Sequence, residues 1–329
     1  ICTELPSYEN GLAKRETRAD GKTGIAATYK IKPGTRWDDG TPLTAADFIF
    51  AWQVGKHPQS GVSNGEFFAK DIVDITSSAP DTLTIHFDKE KCNFALINDF
   101  NPLPAHVETE IFEQDPVNYK NRTLYNTDPA HKGLYFGPYR IARVQSGASI
   151  TLEKNPHWGG DAPKIDFITY KTVESSAALT AHLLSGAVDY IAGELGLTVD
   201  QAIAFEKRLK AQRPGQYNVT YKAGLTYEHI DLPLDRAPFD DLRLRQALMY
   251  GMNREQINNV IFDGRQPPAL TGINPLDTVF TDDVTKYPYD PAKAEALLDG
   301  AGWKKGANGM RANAEGKKLS ITLSTTAGN

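Results

Sequence analysis

Cysteine is nearly absent: Cys2 and Cys92 are the only two in 329 residues, too few for a zinc ribbon, an iron–sulfur cluster or a disulfide framework. One bridge or two unpaired thiols remain, and spacing alone does not choose between them. No apolar run reaches the ~18 residues of a membrane-spanning helix. An excess of positive charge is also missing, since 36 Lys+Arg stand against 41 Asp+Glu with the signs interspersed, which disfavours a nucleic-acid partner. The seven histidines are dispersed, with no H-x-H or H-x-x-x-H pair to share a metal, so neither a metal nor another cofactor is expected. G-x-S-x-G, Walker A and G-x-G-x-x-G are all lacking, which leaves hydrolase, nucleotide and dinucleotide chemistry without a local signature. Ile1 to Pro6 carry no initiator Met, basic stretch or apolar stretch, so no targeting signal is visible; both ends read as cut.

The length suggests two or three domains. Thr28 to Ile31 reads as a strand running into a Pro33-Gly34 turn and the Arg36–Pro42 segment. Thr44 with Asp47 predicts a capping box, followed by a helix with Ala45, Phe48, Ile49 and Trp52 on one face. Strict alternation over residues 81–87 sets Leu83, Ile85 and Phe87 against Thr82, Thr84 and His86, as in a half-buried strand. Strand patterns return at 133–144, 149–153 and 164–171, then a helix at 175–185 and a short strand at 188–191, suggesting an α/β unit. Thr198 and Gln201 begin a further helix, with strand-like residues at 217–221 and 227–232. Helix starts follow at Asp240 or Asp241, at Asn253, and at Asp290-Pro291. Strand character closes the sequence at 320–324. No internal repeat or low-complexity tract is found.

Chemistry is sparse. Asp38 and Asp39 are adjacent carboxylates, but neighbours on an extended segment point apart and cannot flank one glycosidic bond; a turn or capping role fits them better. His229 lies where one predicted lobe passes into the next, and by itself reads as a surface histidine, a core histidine or a ligand contact. Asn64, Asn101, Tyr139, Tyr227, Glu228 and His229 form a set of amide, aromatic and polar groups near the presumed lobe junction. Such groups suit a small-molecule clamp between domains.

Four segments in order resemble one known family. Tyr29 to Phe48 carries Pro33-Gly34, Trp37-Asp38-Asp39-Gly40 and Thr44-Ala45-Ala46-Asp47. Gly137-Pro138-Tyr139 leads to Asn155-Pro156-His157-Trp158, with His157 standing before the Trp where the family pattern has Tyr. Pro238 to Leu248 includes Asp240-Asp241-Leu242-Arg243, and Tyr289-Asp290-Pro291 continues to Ala301-Gly302-Trp303. Together they are similar to the dipeptide, oligopeptide and nickel-type (family 5) solute-binding proteins of bacterial ABC importers.

The resemblance implies an α/β, two-lobed periplasmic-binding-protein-like fold of the peptide-binding class, incomplete in this sequence. Residues 1–132 would form the small subdomain of lobe one, 133–226 part of its main sheet and 227–329 the start of lobe two. It implies a monomeric, non-enzymatic receptor, periplasmic or tethered outside the cytoplasmic membrane, that captures a peptide-like solute and delivers it to an ABC permease. Nickel chelate, haem, opine and oligosaccharide are the alternative solutes. A glycoside hydrolase-like enzyme, or a chaperone or signalling receptor on the same clamp, are the other classes. Tyr227, Glu228 and His229 match the first interlobe crossing, and Asn64 and Asn101 match cleft-facing loops. Trp37, Gly40, Asp241, Arg243 and Arg245 match positions read as structural.

Overall fold

A computed structural model describes residues 1–62, 64–95, 97, 100–192, 196–212, 214–222, 224–225 and 227–325. By backbone contacts the chain divides into two compact units, 1–173 and 174–329. That division falls inside the 133–226 segment, and Thr226, at the other expected boundary, lies outside the described residues.

The first unit is built on β1 (Ala13–Thr17) and β2 (Thr23–Lys30), followed by helix α1 (Ala45–Lys56), a π-helical turn Phe67–Asp71, β3 (Ile72–Ala79) and β4 (Thr82–Phe87). The four strands pair antiparallel in the order β1-β2-β4-β3. Period-two alternation decides which face is dry. Ile25, Ala27 and Tyr29 of β2 and Leu83, Ile85 and Phe87 of β4 are buried, while Thr28 and Thr84 pair their hydroxyls on the other face at 2.9 Å. Each fully buried Ile, Leu or Phe contributes on the order of 2 kcal/mol.

Helix α1 begins at the expected capping box: the Thr44 amide donates to Asp47 Oδ2 at 2.7 Å, and the Thr44 side chain meets the backbone of Asp47 in return. It buries Ala45, Phe48, Ala51 and Trp52 against the sheet, with Phe50 and Val54 packing on its opposite side with Tyr119. That second cluster gathers α2 (Ala105–Gln114) and α3 (Tyr119–Arg122) against α1, and α4 (Leu124–Thr127) follows on α3. A three-stranded antiparallel sheet completes the unit: β5 (Tyr139–Gln145), β6 (Ser149–Lys154) and β7 (Phe167–Lys171).

In the second unit, α5 (Ser176–Ser185) is capped by Ser175 and stopped by Gly186 at φ 77°, and it packs Leu183 against Phe205 and Leu209 of α6 (Val199–Gln212). Helices α7 (Leu242–Gly251), α8 (Arg254–Phe262) and α9 (Pro291–Gly300) follow, then the short hairpin β8 (Lys304–Lys305) and β9 (Arg311–Ala312). Asp241, Asn253 and Asp290 cap their helices as the sequence predicts.

Four expected strands, at 188–191, 217–221, 227–232 and 320–324, do not form in the described residues. Their apolar patterns are real, but a strand exists only when another supplies its ladder. Val188, Ile191, Tyr217 and Val219 satisfy theirs by packing on α5 and α6 instead. The α/β unit expected across 164–191 is corrected for the same reason, since β7 ends an antiparallel sheet in one compact unit and α5 opens the other.

Candidate functional site

In the first unit the Trp37–Pro42 segment closes as a tight turn, with Trp37 N–H donating to Thr41 O and Gly40 N–H to Trp37 O, each at 2.9 Å. Gly40 sits at φ 93°, a left-handed conformation that glycine adopts without steric cost. The two adjacent carboxylates face different partners. Asp38 is buried, and its Oδ1 accepts the amides of Gly133 and Tyr135, each at 2.9 Å; the Arg140 guanidinium lies 3.8 Å from Oδ2. Asp39 accepts the Thr41 amide at 2.8 Å and meets His106 Nε2 at 2.9 Å. Burial pushes the Asp39 carboxyl upward, but the bonds from Thr41 and then His106 outweigh it and hold the group below the usual range. Neither geometry presents a carboxylate pair across a bond, so both residues serve as anchors.

Sequence reasoning did not find the most buried anchors. Asp47 does more than cap α1: Oδ1 accepts the Ala105 amide at 2.9 Å, and its carbonyl accepts the Leu103 amide at 3.2 Å. Glu108, with no exposed surface, accepts the Leu124 amide at 2.8 Å. Asp38 and Asp47 tie residues 103–135 to the segment that precedes and opens α1, and Glu108 braces that stretch from within. The 101–104 loop is thus held from its C-terminal side, leaving Asn101 exposed at its tip. Asn64 is half-buried beside the π-helical turn. The Phe68 and Phe100 rings, 5.3 Å apart edge to face, join the loops that carry Asn64 and Asn101. Neither amide side chain has a hydrogen-bond partner among the described residues, so both retain their bonding capacity. Tyr139, by contrast, already donates its hydroxyl to Ile165 O at 2.8 Å.

In the second unit Tyr227, Glu228 and His229 lie on an extended segment. Alternation sets the Tyr227 and His229 rings on one side, with centroids 4.8 Å apart and planes 33° apart. All three residues are exposed. His229 meets Asp231 at 3.4 Å through Nε2. Gly272 gives the Tyr227 hydroxyl its room, because a Cβ there would lie 3.0 Å from it. Exposed aromatic faces beside a carboxylate can stack on planar groups and accept amide or ammonium donors.

The Pro238–Arg245 segment is structural. Asp241 accepts the Arg243 amide at 2.8 Å and the guanidinium at 2.7 Å, and the Arg243 side-chain bond holds its carboxyl below the usual range. Arg243 also reaches Gly300 O at 2.6 Å, joining α7 to α9, while Arg245 donates to Phe239 O at 2.5 Å. Cys2 and Cys92 are both free thiols. Among the described residues no three His, Cys, Asp or Glu side chains are placed to hold a metal ion.

The described residues thus offer anchoring carboxylates, capped helices and exposed amide and aromatic side chains. A family model for bacterial extracellular solute-binding proteins, family 5 Middle, matches residues 7–329, and the chain belongs to this family. It is a solute-binding family rather than an enzymatic one. The oligopeptide-binding protein OppA of Bacillus subtilis is 26% identical over 289 residues, 85% of this chain and 51% of that protein. Protein XP55 of Streptomyces lividans is 28% identical, covering 95% and 56%. The chain spans about half the length of the curated relatives it matches. Among solved structures, the oligopeptide-binding protein of Thermus thermophilus, complexed with a pentapeptide, aligns at 27% identity and TM-score 0.63, covering 97% of this chain and 58% of that one. NikZ of Campylobacter jejuni, in complex with Ni(L-His), aligns at 23% and 0.67, covering 94% and 57%. The fold is therefore the mixed α/β, periplasmic-binding-protein-like fold of the peptide-binding class. No helix among the described residues is long and apolar enough to cross a membrane.

Proposed function

We infer that this chain belongs to the solute receptor of an ABC importer, a monomer that captures a peptide or peptide-like solute between two lobes and delivers it to the membrane permease. The observation that carries this reading is the family match over 7–329, joined to relatives described as oligopeptide-binding proteins. The receptor works outside the cytoplasmic membrane, in the periplasm or tethered to the membrane surface. Residues 1–132, 133–226 and 227–329 are its small subdomain, part of its first main sheet and the beginning of its second lobe. Tyr227 and His229 stack on the planar groups of the solute, Glu228 accepts its donors, and Asn64 and Asn101 bond to its main chain. Closure is a hinge motion whose driving force is tighter binding to the closed state.

Native mass spectrometry of the protein purified gently from its host tests the reading. A co-purifying peptide is expected, released on Tyr227→Ala. A nickel chelate or a sugar in its place would keep the receptor and replace the solute class, and turnover of a glycoside would overturn the receptor reading.

A further inference from the structure

One cleft in the first unit is not used by this reading. Bounded by α1, the π-helical turn, β3 and α2, it is an open surface cleft of about 600 Å³, within the size range of small-molecule sites. None of Asn64, Asn101, Tyr227, Glu228 or His229 lines it. Trp52, Phe68, Ile72 and Phe112 supply apolar walls, and the charged groups are Arg18, Lys56, Lys70 and Asp88. Arg18 donates to Asp88 O at 2.7 Å and stands 3.4 Å from Asp20, and Lys70 is paired with Glu66 at 2.5 Å. Lys56 has no carboxylate partner among the described residues. Its ammonium stands 3.5 Å over the Trp52 ring, which holds an unneutralised cation against an apolar wall. The wall itself has an uncommon backbone, a π-helical turn at Phe67–Asp71, a geometry that recurs at functional sites. Trp52 Nε1 fixes that turn by donating to Phe68 O at 3.0 Å. Gly55 is required beside it, because a Cβ there would come within 2.5 Å of the Phe68 ring.

From this chemistry we propose that the cleft is a second ligand site, taking a small organic anion with an aromatic body. The anionic group meets Lys56, and the body lies along the apolar wall of Trp52, Phe68 and Phe112. Indole-3-acetate has both features and serves as the probe, with tryptamine as its cationic counterpart, in calorimetric titration of the 329-residue chain. Saturable one-to-one binding is expected, at least about tenfold tighter than tryptamine and weakened severalfold by raised salt. Lys56→Glu and Lys56→Gln, both at an exposed position, are expected to weaken it about tenfold or more, with unchanged circular dichroism. Tyr227→Ala should leave it unchanged, which separates this site from the transport site. Absence of saturable binding, equal affinity for tryptamine, indifference to both Lys56 variants or loss in the Tyr227 variant each overturn the proposal.

Discussion

Replacing Asp38 by Ala removes the acceptor for two buried amides, at Gly133 and Tyr135, that lie 95 and 97 residues further along the chain. Hydrogen bonds to a charged group are worth about 1.5–3 kcal/mol each, and a buried donor left unpaired costs about 1–3 kcal/mol. The two contributions overlap, because both describe the loss of the same pairs, and together they place the cost at roughly 3–5 kcal/mol. That is a large share of the ~5–15 kcal/mol that stabilises a typical domain. Asp38→Asn keeps an oxygen that can accept both amides and loses only the charge and its attraction to Arg140, a cost of about 1–2 kcal/mol. Urea unfolding followed by near- and far-UV circular dichroism separates the cases. With m-values of roughly 1–3 kcal/mol/M, the Ala variant should lower the midpoint of the first unit's transition by more than 1 M and leave that of residues 174–329 in place. The reasoning fails if Asp38→Ala lies within about 1 kcal/mol of the parent, or if the Asn variant is as damaging as the Ala variant.

Gly40→Ala must hold a side chain at φ 93°, with its Cβ 3.1 Å from the His157 ring; a loss of about 1–3 kcal/mol in the same urea assay is expected. Because the folded Asp39 carboxyl titrates below its unfolded value, its stabilisation is full above the unfolded range near ~3.9 and is lost as pH falls through the lower folded value. Asp39→Asn should therefore flatten the acid limb of a stability–pH profile measured by urea unfolding. Tyr135 runs the other way: burial first, then the charge of Asp38, pushes its hydroxyl up to about 12. Its contribution is complete below the unfolded value near ~10 and declines as pH rises toward the folded value. Ultraviolet titration should show Tyr135 ionising late, together with the buried Tyr29, Tyr119 and Tyr125, which burial also pushes up, and Asp38→Asn should bring part of that late absorbance change to lower pH.

The caps were legible because an N-terminal cap is a local object: Thr44 and Asp47 in a capping box, or Asp290 and the Lys293 amide in a simple cap, are three residues apart and bond whatever the rest of the chain does. The β4 alternation was legible for a similar reason, since a period of two announces which side chains share a face. Asp47 shows where this reading stops, because the residue that caps α1 also holds Ala105, 58 residues on. Glu108 stands in a polar helix segment that reads as a solvated face, yet it is fully buried beneath the Leu124 amide. No local spacing announces such an acceptor.

At the candidate site the division runs the same way. Tyr227 and His229 share a side because they are two residues apart on an extended chain, and Gly272 is needed only because the fold brings the Tyr227 hydroxyl to it. By itself the sequence determined the starts of α1 and of α5 to α9, the two faces of β4 and the family, all of which depend on short-range spacing or on motifs in linear order. Tertiary structure alone decided that the 217–221 and 227–232 patterns find no ladder among the described residues, that Asp38 and Asp47 anchor residues 103–135 while Glu108 braces that stretch from within, and that Lys56 stands over Trp52. Each of those outcomes depends on which distant groups meet after water has been excluded, and that is a property of the packed chain.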